Sequence, residues 1–313
     1  MSSLSENPFP EHIRTIGVAA PAGSADRTKY EESVRLIESF GIRVVSAPHL
    51  FSETPHASYL SATETERADD FNSLIRDPEI DLIQCIRGGY GSMKILESID
   101  WDALRERKLP VIGFSDITAV HLAMLAKHAG IPVAGQMTAR FAESMKDALT
   151  HDSFRSSLRF ALKGEGNLEF SSLKVLKEGT CTGPLIPANL TLLTALCGTP
   201  YLPDLTGSVL VIEEIGEPPR KIDRELTQLR LNGIFDRIAG LVFAQYTDCG
   251  SESELGVLFS EFSQYVSGPV LCGLPFGHEI PSVTLPCGTM FSIWNGTLRS
   301  EKKSGRFQPS GGK

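Results

Sequence analysis

Ser115 stands at a turn that directly follows a short apolar run. Residues 111–116 read Val-Ile-Gly-Phe-Ser-Asp, and a helix-like stretch, 117–128, comes next. A strand–turn–helix arrangement exposes a serine at the carboxyl edge of a sheet, beside backbone N–H groups and a helix N-terminus. Such a serine becomes a nucleophile when a base and an oxyanion site are also present. A helix N-cap is the other role open to it, because the turn lacks the second glycine of the Gly-x-Ser-x-Gly elbow.

His278 is the histidine whose surroundings best suit a general base for this serine. The base must be a histidine or lysine that can reach the hydroxyl. His278 lies in a glycine-bounded loop, 275–279, after an apolar run at 270–273. A solvent-facing turn histidine is the alternative. The other six histidines lie in polar stretches, on the helix after Ser115, or without supporting context: His12, His49, His56, His121, His128 and His151.

Three acids follow the apolar run 209–212 and could orient such a histidine. Glu213 is the first, and Glu214 and Glu217 come after it. A carboxylate at a strand end can accept a hydrogen bond from the second ring nitrogen and so fix the tautomer. Carboxylates are also common near the N-terminus of a following helix. The spacing alone does not choose among the three.

The loop Arg87-Gly-Gly-Tyr-Gly91 follows another apolar run and is rich in glycine. Glycines let the backbone approach a ligand closely, so the loop could present N–H groups to an oxyanion. It could also hold a phosphate, although it matches neither Gly-x-Gly-x-x-Gly nor the P-loop pattern. A simple tight turn is the third interpretation.

Short apolar runs alternate with amphipathic stretches through the first half of the chain. One of these stretches, 63–75, begins with Thr63 and Glu66 at capping-box spacing. The alternation predicts a doubly wound parallel sheet of the flavodoxin or Rossmann type, which binds ligands at the carboxyl ends of its strands. Ser115 and the glycine-rich loop both follow such ends. The predicted strands are 16–20, 42–46, 82–86, 110–114 and 131–134.

The second half has a different pattern, with more strand-like segments and turns. We predict an N-terminal α/β domain at 1–145 and a smaller, strand-rich α/β domain at 181–300 that carries Glu213 and His278. A polar segment at 146–180, with a short helix near 154–162, is predicted to connect them. The lysine-, serine- and glycine-rich tail 301–313 is predicted to be flexible.

Composition excludes several classes of protein. The 313 residues carry a formal net charge of −8, which argues against nucleic-acid binding because that function requires a basic face. Six cysteines without a Cys-x-x-Cys pair favour reduced thiols in a cytoplasmic protein over a zinc site or a disulfide scaffold. No metal motif, signal peptide or run of about 20 apolar residues is present, so neither a metal nor a membrane is expected.

Six segments of the chain, taken in order, resemble the LD-carboxypeptidases of the serine peptidase S66 group. The resemblance implies a Ser–Glu–His arrangement in which Ser115 is the nucleophile, His278 the base and Glu213 the orienting acid. It places the oxyanion site at the backbone of Gly88 or Gly89 and the N–H of Asp116. The matching segments are Gly17-Val-Ala-Ala-Pro-Ala22, Ile86-Arg-Gly-Gly-Tyr-Gly91, Ile112-Gly-Phe-Ser-Asp116, Asn189-Leu-Thr191, Ile212-Glu-Glu-Ile-Gly-Glu217, and Phe276-Gly-His278 with Thr284-Leu-Pro286.

The resemblance also implies an activity, the release of terminal D-alanine from peptidoglycan-derived tetrapeptides by hydrolysis of an L,D-peptide bond. No cofactor is expected, and a homodimer is implied. The substrate ends in a carboxylate, for which Arg87 and Arg220 are the candidate cations.

Two other functions stay open. The chain departs from the family pattern at 134–136, 187–188 and 219–221, and such loop changes affect specificity. A hydrolase of microcin C-like or aminoacyl-sulfamoyl-adenylate conjugates is therefore one alternative. The other is a non-catalytic α/β protein that binds a nucleotide or sugar and uses residues 88–91 as a phosphate cradle.

Overall fold

The computed structural model of the chain describes residues 6–52, 54 and 57–301. Apart from Glu301, the tail predicted to be flexible lies outside the described residues. Across the described ranges, no helix is both long and apolar enough to cross a membrane.

The first half of the chain forms the predicted doubly wound parallel sheet. Its five parallel strands are β1 (Thr15–Ala19), β2 (Arg43–Ser46), β3 (Leu82–Cys85), β4 (Pro110–Gly113) and β5 (Ile131–Ala134). They lie in the order β5-β4-β3-β1-β2, which is the flavodoxin-type order with its switch point between β1 and β3. Every residue of β1, β3 and β4 is buried, so both faces of the central strands are covered.

In the part of the chain that the structure describes, the helices that accompany this sheet are α1 (Arg27–Ser39), α2 (Glu64–Arg76), α3 (Trp101–Arg107), α4 (Thr118–Lys127), α5 (Phe141–Ser144) and α6 (Ala148–Lys163). Side-chain oxygens cap several of their N-termini. The Asp26 side chain accepts a hydrogen bond from the backbone N–H of Lys29 at the start of α1. The predicted capping box of Thr63 and Glu66 is present at the start of α2. These caps fix where the loops that follow β1 and β2 end and the helices begin.

The second half forms a strand-rich sheet of eight strands, as predicted. The strands of this half are β6 (Glu169–Phe170), β7 (Lys174–Lys177), β8 (Cys181–Asn189), β9 (Val209–Ile215), β10 (Gly240–Thr247), β11 (Val270–Cys272), β12 (Leu285–Pro286), β13 (Met290–Trp294) and β14 (Thr297–Ser300). All of them except β12 belong to this sheet, in the spatial order β6-β14-β13-β8-β9-β10-β11-β7. Strands β8 to β11 run parallel at its centre, and antiparallel strands flank them. Its helices are α7 (Leu190–Ala195), α8 (Pro219–Leu231), α9 (Ile234–Arg237) and α10 (Glu252–Ser263).

The segment 146–180 is more structured than the connection predicted there. The expected short helix is the 16-residue α6, which buries Phe154 and Leu158 and packs on β5 and β12. β6 and β7 form the two edges of the second sheet. The apolar residues of α6 recur at helical spacing and form one buried face of the helix.

The two sheets are joined beside the carboxyl ends of the first. β12 comes from the second half but pairs antiparallel with β5, with Leu285 opposite Ala134. The backbone N–H of Asn189, at the end of β8, donates to the hydroxyl of Thr118 at the start of α4 (3.0 Å). This contact ties the helix after Ser115 to the sheet that carries Glu213.

Candidate active site

Ser115 occupies a strained turn immediately after β4. Its φ is +61°, in the left-handed region that costs a residue with a side chain about 1–2 kcal/mol. The residue opens a 3₁₀ turn, Ser115–Ile117, that leads directly into α4. Gly113 permits this geometry, because a Cβ there would lie 2.7 Å from a side-chain carbon of Ile117. The turn therefore holds a half-buried hydroxyl at the carboxyl edge of the sheet, as the sequence predicts.

The glycine-rich loop lies directly against Ser115. A Cβ on Gly88 would lie 3.0 Å from Ser115 Oγ and 3.2 Å from the backbone nitrogen of Asp116. Gly89 has a φ of +107°, which a residue with a side chain rarely adopts. The space left by the missing side chain at Gly88 thus adjoins both the hydroxyl and an amide that can stabilise an oxyanion.

The carboxylate of Asp116 has a separate, structural contact. It accepts a hydrogen bond from the backbone N–H of Ser92 (2.8 Å), and the Ser92 hydroxyl donates to the Asp116 carbonyl (2.6 Å). Burial raises the pKa of this carboxyl group, and the bonds from Ser92 oppose that effect. Asp116 can therefore contribute its backbone N–H to the site while its side chain holds the end of the glycine-rich loop.

A buried arginine that the sequence analysis did not single out also fixes this loop. The guanidinium of Arg67 is 1% exposed and donates to the carbonyl oxygens of Gly91 (2.9 Å) and Pro21. Its Nε–H donates to the carbonyl of Ala62 (3.2 Å). Arg67 therefore joins the loops after β1 and β3, which are the two loops at the switch point of the sheet.

His278 and Glu213 are in direct contact. The Nδ1 atom of His278 lies 2.8 Å from Oε2 of Glu213, which is buried near the end of β9. Burial raises the pKa of Glu213, and the contact with His278 lowers it in part. Because Nδ1 faces the acid, Nε2 is the ring nitrogen left to exchange a proton with a substrate or hydroxyl.

The competing acids have other partners. Glu214 points to the opposite side of β9, as strand alternation requires. It accepts hydrogen bonds from Asn189 Nδ2 (2.9 Å) and the backbone of Thr191 (2.8 Å) at the start of α7. Glu217 forms an ion pair with Lys221 on α8 (2.5 Å). Of the three acids, Glu213 is the one that the structure brings to His278.

The loop that carries His278 is held by a residue from the neighbouring strand. Gln245 of β10 accepts from the backbone N–H of Glu279 (2.9 Å) and donates to the carbonyl of Pro281 (2.9 Å). Gly277 fits against it, because a Cβ there would lie 2.8 Å from Gln245 Cβ and 3.4 Å from Glu213 Oε2. The ring of Phe114 packs 5.0 Å from the His278 ring, centroid to centroid.

Ser115, His278, Gly88 and Gly89 line one cavity of about 430 Å³. Its walls come from the loops after β1, β3, β4 and β5, together with Ile215 and the His278 loop. This is the edge at which flavodoxin-type sheets bind ligands. The charged residues in the lining, besides His278, are Asp26, Lys29, Arg87, Arg140 and Glu279.

The two arginines predicted to bind a carboxylate have different placements. Arg87 lines the cavity, and its Nη1 donates to the carbonyl of Ser24 (2.9 Å). Arg220 is exposed in the first turn of α8 and does not line the cavity. It lies two positions before the buried Ile222, which places it on the opposite face of the helix. Arg140, which the sequence analysis did not single out, lines the cavity instead.

No group of three or more histidine, cysteine or acidic side chains among the residues that the structure describes is arranged to hold a metal. The arrangement that remains is a hydroxyl, an imidazole, a carboxylate and backbone amides. Together these groups can perform nucleophilic acyl transfer.

The fold and the cavity define a two-part α/β protein in which the serine of one part and the histidine of the other, paired with its glutamate, line one cavity. Residues 16–135 match the N-terminal domain of LD-carboxypeptidases, and residues 182–293 match the C-terminal domain of the same proteins. The chain belongs to the LD-carboxypeptidase family, so the resemblance found in the sequence is confirmed.

Comparisons with individual proteins agree with this assignment. A probable murein peptide carboxypeptidase of Bacillus subtilis is 30% identical over 281 residues, covering 88% of this chain and 86% of the relative. A crystal structure of a muramoyltetrapeptide carboxypeptidase from Oxalobacter formigenes superposes with a TM-score of 0.79 at 25% identity, covering 91% of this chain and 97% of that one.

A second kind of relative is also similar. The microcin C7 self-immunity protein MccF of Escherichia coli is 28% identical over 306 residues and covers 88% of each chain. A structure of MccF in complex with aspartyl sulfamoyl adenosine has a TM-score of 0.82 at 24% identity, with 93% of this chain and 96% of that one covered. At that identity the superposition shows a shared fold.

Proposed function

We propose that the protein is a serine carboxypeptidase that hydrolyses an L,D-peptide bond and releases terminal D-alanine from peptidoglycan-derived tetrapeptides. One observation carries the proposal: the strained Ser115, the oxyanion space at Gly88 and the His278–Glu213 pair adjoin a single cavity. The murein peptide relatives support the choice of substrate.

In the proposed acylation step, Nε2 of His278 takes the proton of Ser115 as Oγ attacks the carbonyl carbon before D-alanine. The tetrahedral oxyanion accepts hydrogen bonds from the N–H of Asp116 and from the backbone at Gly88 or Gly89, each worth about 3 kcal/mol. His278 then gives its proton to the leaving amine. Water attacks the acyl-enzyme with the same base, and the tripeptide leaves.

Glu213 has an orienting role in this scheme. Its carboxylate holds the Nδ1–H tautomer of His278 and faces the imidazolium that forms during each proton transfer. Burial makes this charge interaction stronger than it would be in water. The same burial raises the pKa of Glu213, and the hydrogen bond with His278 acts in the opposite direction.

The cavity suits a small peptide that carries carboxylates. Three cations in its lining, Lys29, Arg87 and Arg140, outnumber the two acids, Asp26 and Glu279. An excess of positive charge at the site attracts anionic substrates even though the whole chain is negatively charged. The scheme needs no cofactor.

A homodimer and a cytoplasmic location are further parts of the proposal, carried by the family resemblance and the reduced-thiol composition. Light scattering coupled to size exclusion tests the first, and fractionation of the source cells tests the second.

Hydrolysis of peptide–nucleotide conjugates is the second candidate function. It is favoured by the similarity to MccF, whose structure holds aspartyl sulfamoyl adenosine. This activity would use the same serine, histidine and glutamate on a different acyl donor.

A three-substrate assay separates these functions. The wild-type protein is incubated with L-Ala-γ-D-Glu-meso-diaminopimelate-D-Ala, with the same peptide ending in L-Ala, and with aspartyl sulfamoyl adenosine, and the products are identified by mass spectrometry. Release of D-alanine alone supports the proposal, and cleavage of the adenosine conjugate alone supports the second function. Binding of any of the three without hydrolysis would instead support a non-catalytic binding protein.

A further inference from the structure

Arg140 has a position that the catalytic scheme does not use. It ends the 3₁₀ turn Thr138–Arg140 after β5 and lines the cavity. Its Nη1 donates to the backbone carbonyl of His278 (3.2 Å). The guanidinium therefore lies beside the loop of the general base.

The chemistry of the reaction fixes where the terminal carboxylate of a substrate must lie. His278 protonates the leaving nitrogen, so that nitrogen lies next to the imidazole. In a C-terminal residue, the nitrogen and the carboxylate are bonded to the same carbon. The carboxylate therefore lies on the His278 side of the scissile bond, and a cation that binds it must be there too.

The guanidinium of Arg140 has donors left for such a ligand. Glu143 accepts from Nε and Nη2 (both 3.2 Å), and His278 accepts from Nη1. An arginine has five N–H groups, so two, on Nη1 and Nη2, have no partner among the described residues. The side chain is 48% exposed, which leaves it accessible from the cavity.

The charge of Arg140 is not cancelled by its ion pair. Glu143 is shared with Lys29 and Lys146, whose charges act with Arg140 to lower the pKa of that carboxyl group. Three cations thus act on the Glu143 carboxyl group, and in the cavity lining three cations stand against the two acids Asp26 and Glu279. A substrate carboxylate would meet a net positive field there.

The other cations fit this role less well. Arg87 directly precedes Gly88 and donates to Ser24, so it belongs to the oxyanion side. Arg220 lies outside the cavity. Lys29 offers a point charge from α1, whereas a guanidinium presents a planar pair of donors that matches a carboxylate.

Resting on the proposed function, we infer that Arg140 binds the terminal carboxylate of the substrate and thereby restricts the protein to removal of a C-terminal residue. The role is one of specificity: Arg140 selects for a free carboxylate next to the bond that Ser115 attacks.

The test compares two substrates that differ only at this group. Kinetics are measured on the tetrapeptide with a free C-terminal D-Ala and on the same peptide ending in D-alaninamide. The variants are Arg140→Gln and Arg140→Lys, with Arg220→Gln as the matched arginine outside the cavity and Arg87→Gln and Lys29→Gln as rivals. Thermal melting checks that each variant folds.

The wild type is expected to prefer the free acid over the amide. Arg140→Gln should lower kcat/KM for the acid by about 10- to 100-fold, because charged hydrogen bonds to the carboxylate are lost. The same variant should change kcat/KM for the amide little. The kcat/KM of Arg140→Lys for the acid should lie between the values of the wild type and Arg140→Gln, and Arg220→Gln should match the wild type. If Arg140 only held the His278 loop, both substrates would slow equally.

Two results would overturn the inference. One is an unchanged ratio of kcat/KM for the acid to kcat/KM for the amide in Arg140→Gln. The other is that Lys29→Gln or Arg87→Gln, instead of Arg140→Gln, loses the preference for the acid. If the wild type released neither D-alanine from the free acid nor D-alaninamide from the amide, the proposed function itself would have failed, which is a different outcome from both of these.

Discussion

Nδ1 of His278 lies 2.8 Å from Oε2 of Glu213, although the two residues are 65 positions apart in the chain. The contact joins the end of a buried strand to a loop that Gln245 and Arg140 hold in place. A carboxylate buried at that point without the imidazole would carry the full cost of desolvation. Glu213 therefore fixes the orientation and tautomer of the His278 ring, and the imidazole gives this buried carboxylate a hydrogen-bond donor.

Glu213→Gln should impair catalysis far more than folding. The amide keeps the shape of the side chain but does not enforce the Nδ1–H tautomer, so kcat should fall by about 10³- to 10⁴-fold. Steady-state kinetics with thermal melting measure this effect. Glu217→Gln, which removes an ion pair to Lys221 instead, is the control and should stay within a few-fold of wild type. Equal losses in both variants would contradict the assignment of Glu213.

Gly88→Ala should reduce activity because it fills the oxyanion space. The new methyl group would lie 2.9 Å from Ser115 Cβ and 3.0 Å from its Oγ, so the loop or the serine must move. A displacement of this kind costs about 10²-fold or more in kcat. Gly256→Ala is the matched control, since a Cβ on this α10 residue meets nothing within 4 Å, and it should leave kcat unchanged. Full activity in Gly88→Ala would rule out an oxyanion site at this loop.

Arg67→Met should destabilise the protein by about 3 kcal/mol or more. The substitution removes the guanidinium donor from the buried carbonyl groups of Pro21, Ala62 and Gly91, of which Gly91 keeps a hydrogen bond from the backbone N–H of Lys94. Urea unfolding measures the change. Arg76→Gln, which removes an exposed ion pair with Asp100, is the comparison and should cost less than about 1 kcal/mol. A similar cost for both variants would mean that Arg67 does not clamp the two loops.

The buried carboxyl group of Glu225 should make the free energy of unfolding depend on pH. Burial raises its pKa from 4.5 to about 7, although the Thr191 hydroxyl donates to it (3.0 Å). A raised pKa in the folded state means that the carboxyl stabilises the fold at pH values below 4.5. That contribution is lost as pH rises through about 7. Glu225→Gln, which cannot ionise, should therefore gain on the order of 1–2 kcal/mol relative to wild type between pH 5 and pH 7.5.

Urea unfolding of both proteins at the two pH values measures this difference. A constant difference between them would show that Glu225 is ionised throughout the range.

Local sequence patterns were sufficient for much of the fold. Alternating apolar runs predicted the five parallel strands, and the capping-box spacing of Thr63 and Glu66 predicted the start of α2, because these signals act between near neighbours. The turn at Ser115 was also recognisable, since a strand, a small residue and a helix follow one another directly in the chain.

The features that depend on distant residues were not predictable in this way. β12 joins the first sheet from the far end of the chain, α6 packs on β5 and β12, and β6 and β7 are edge strands of the second sheet. Arg67 and Gln245 hold loops through backbone carbonyls, which leave no mark on the sequence. Arg140 was missed for the same reason, since its link to His278 spans 138 positions.

The most direct test of the account is D-alanine release by the wild type and by Ser115→Ala, measured on the same tetrapeptide with thermal melting as a check on folding. Ser73→Ala, an exposed serine on α2, is the matched control. Release by the wild type and the control, with a loss of at least about 10⁴-fold in folded Ser115→Ala, is the predicted result. Equal release by Ser115→Ala and the wild type would mean that Ser115 is only a turn residue, and would contradict the mechanism.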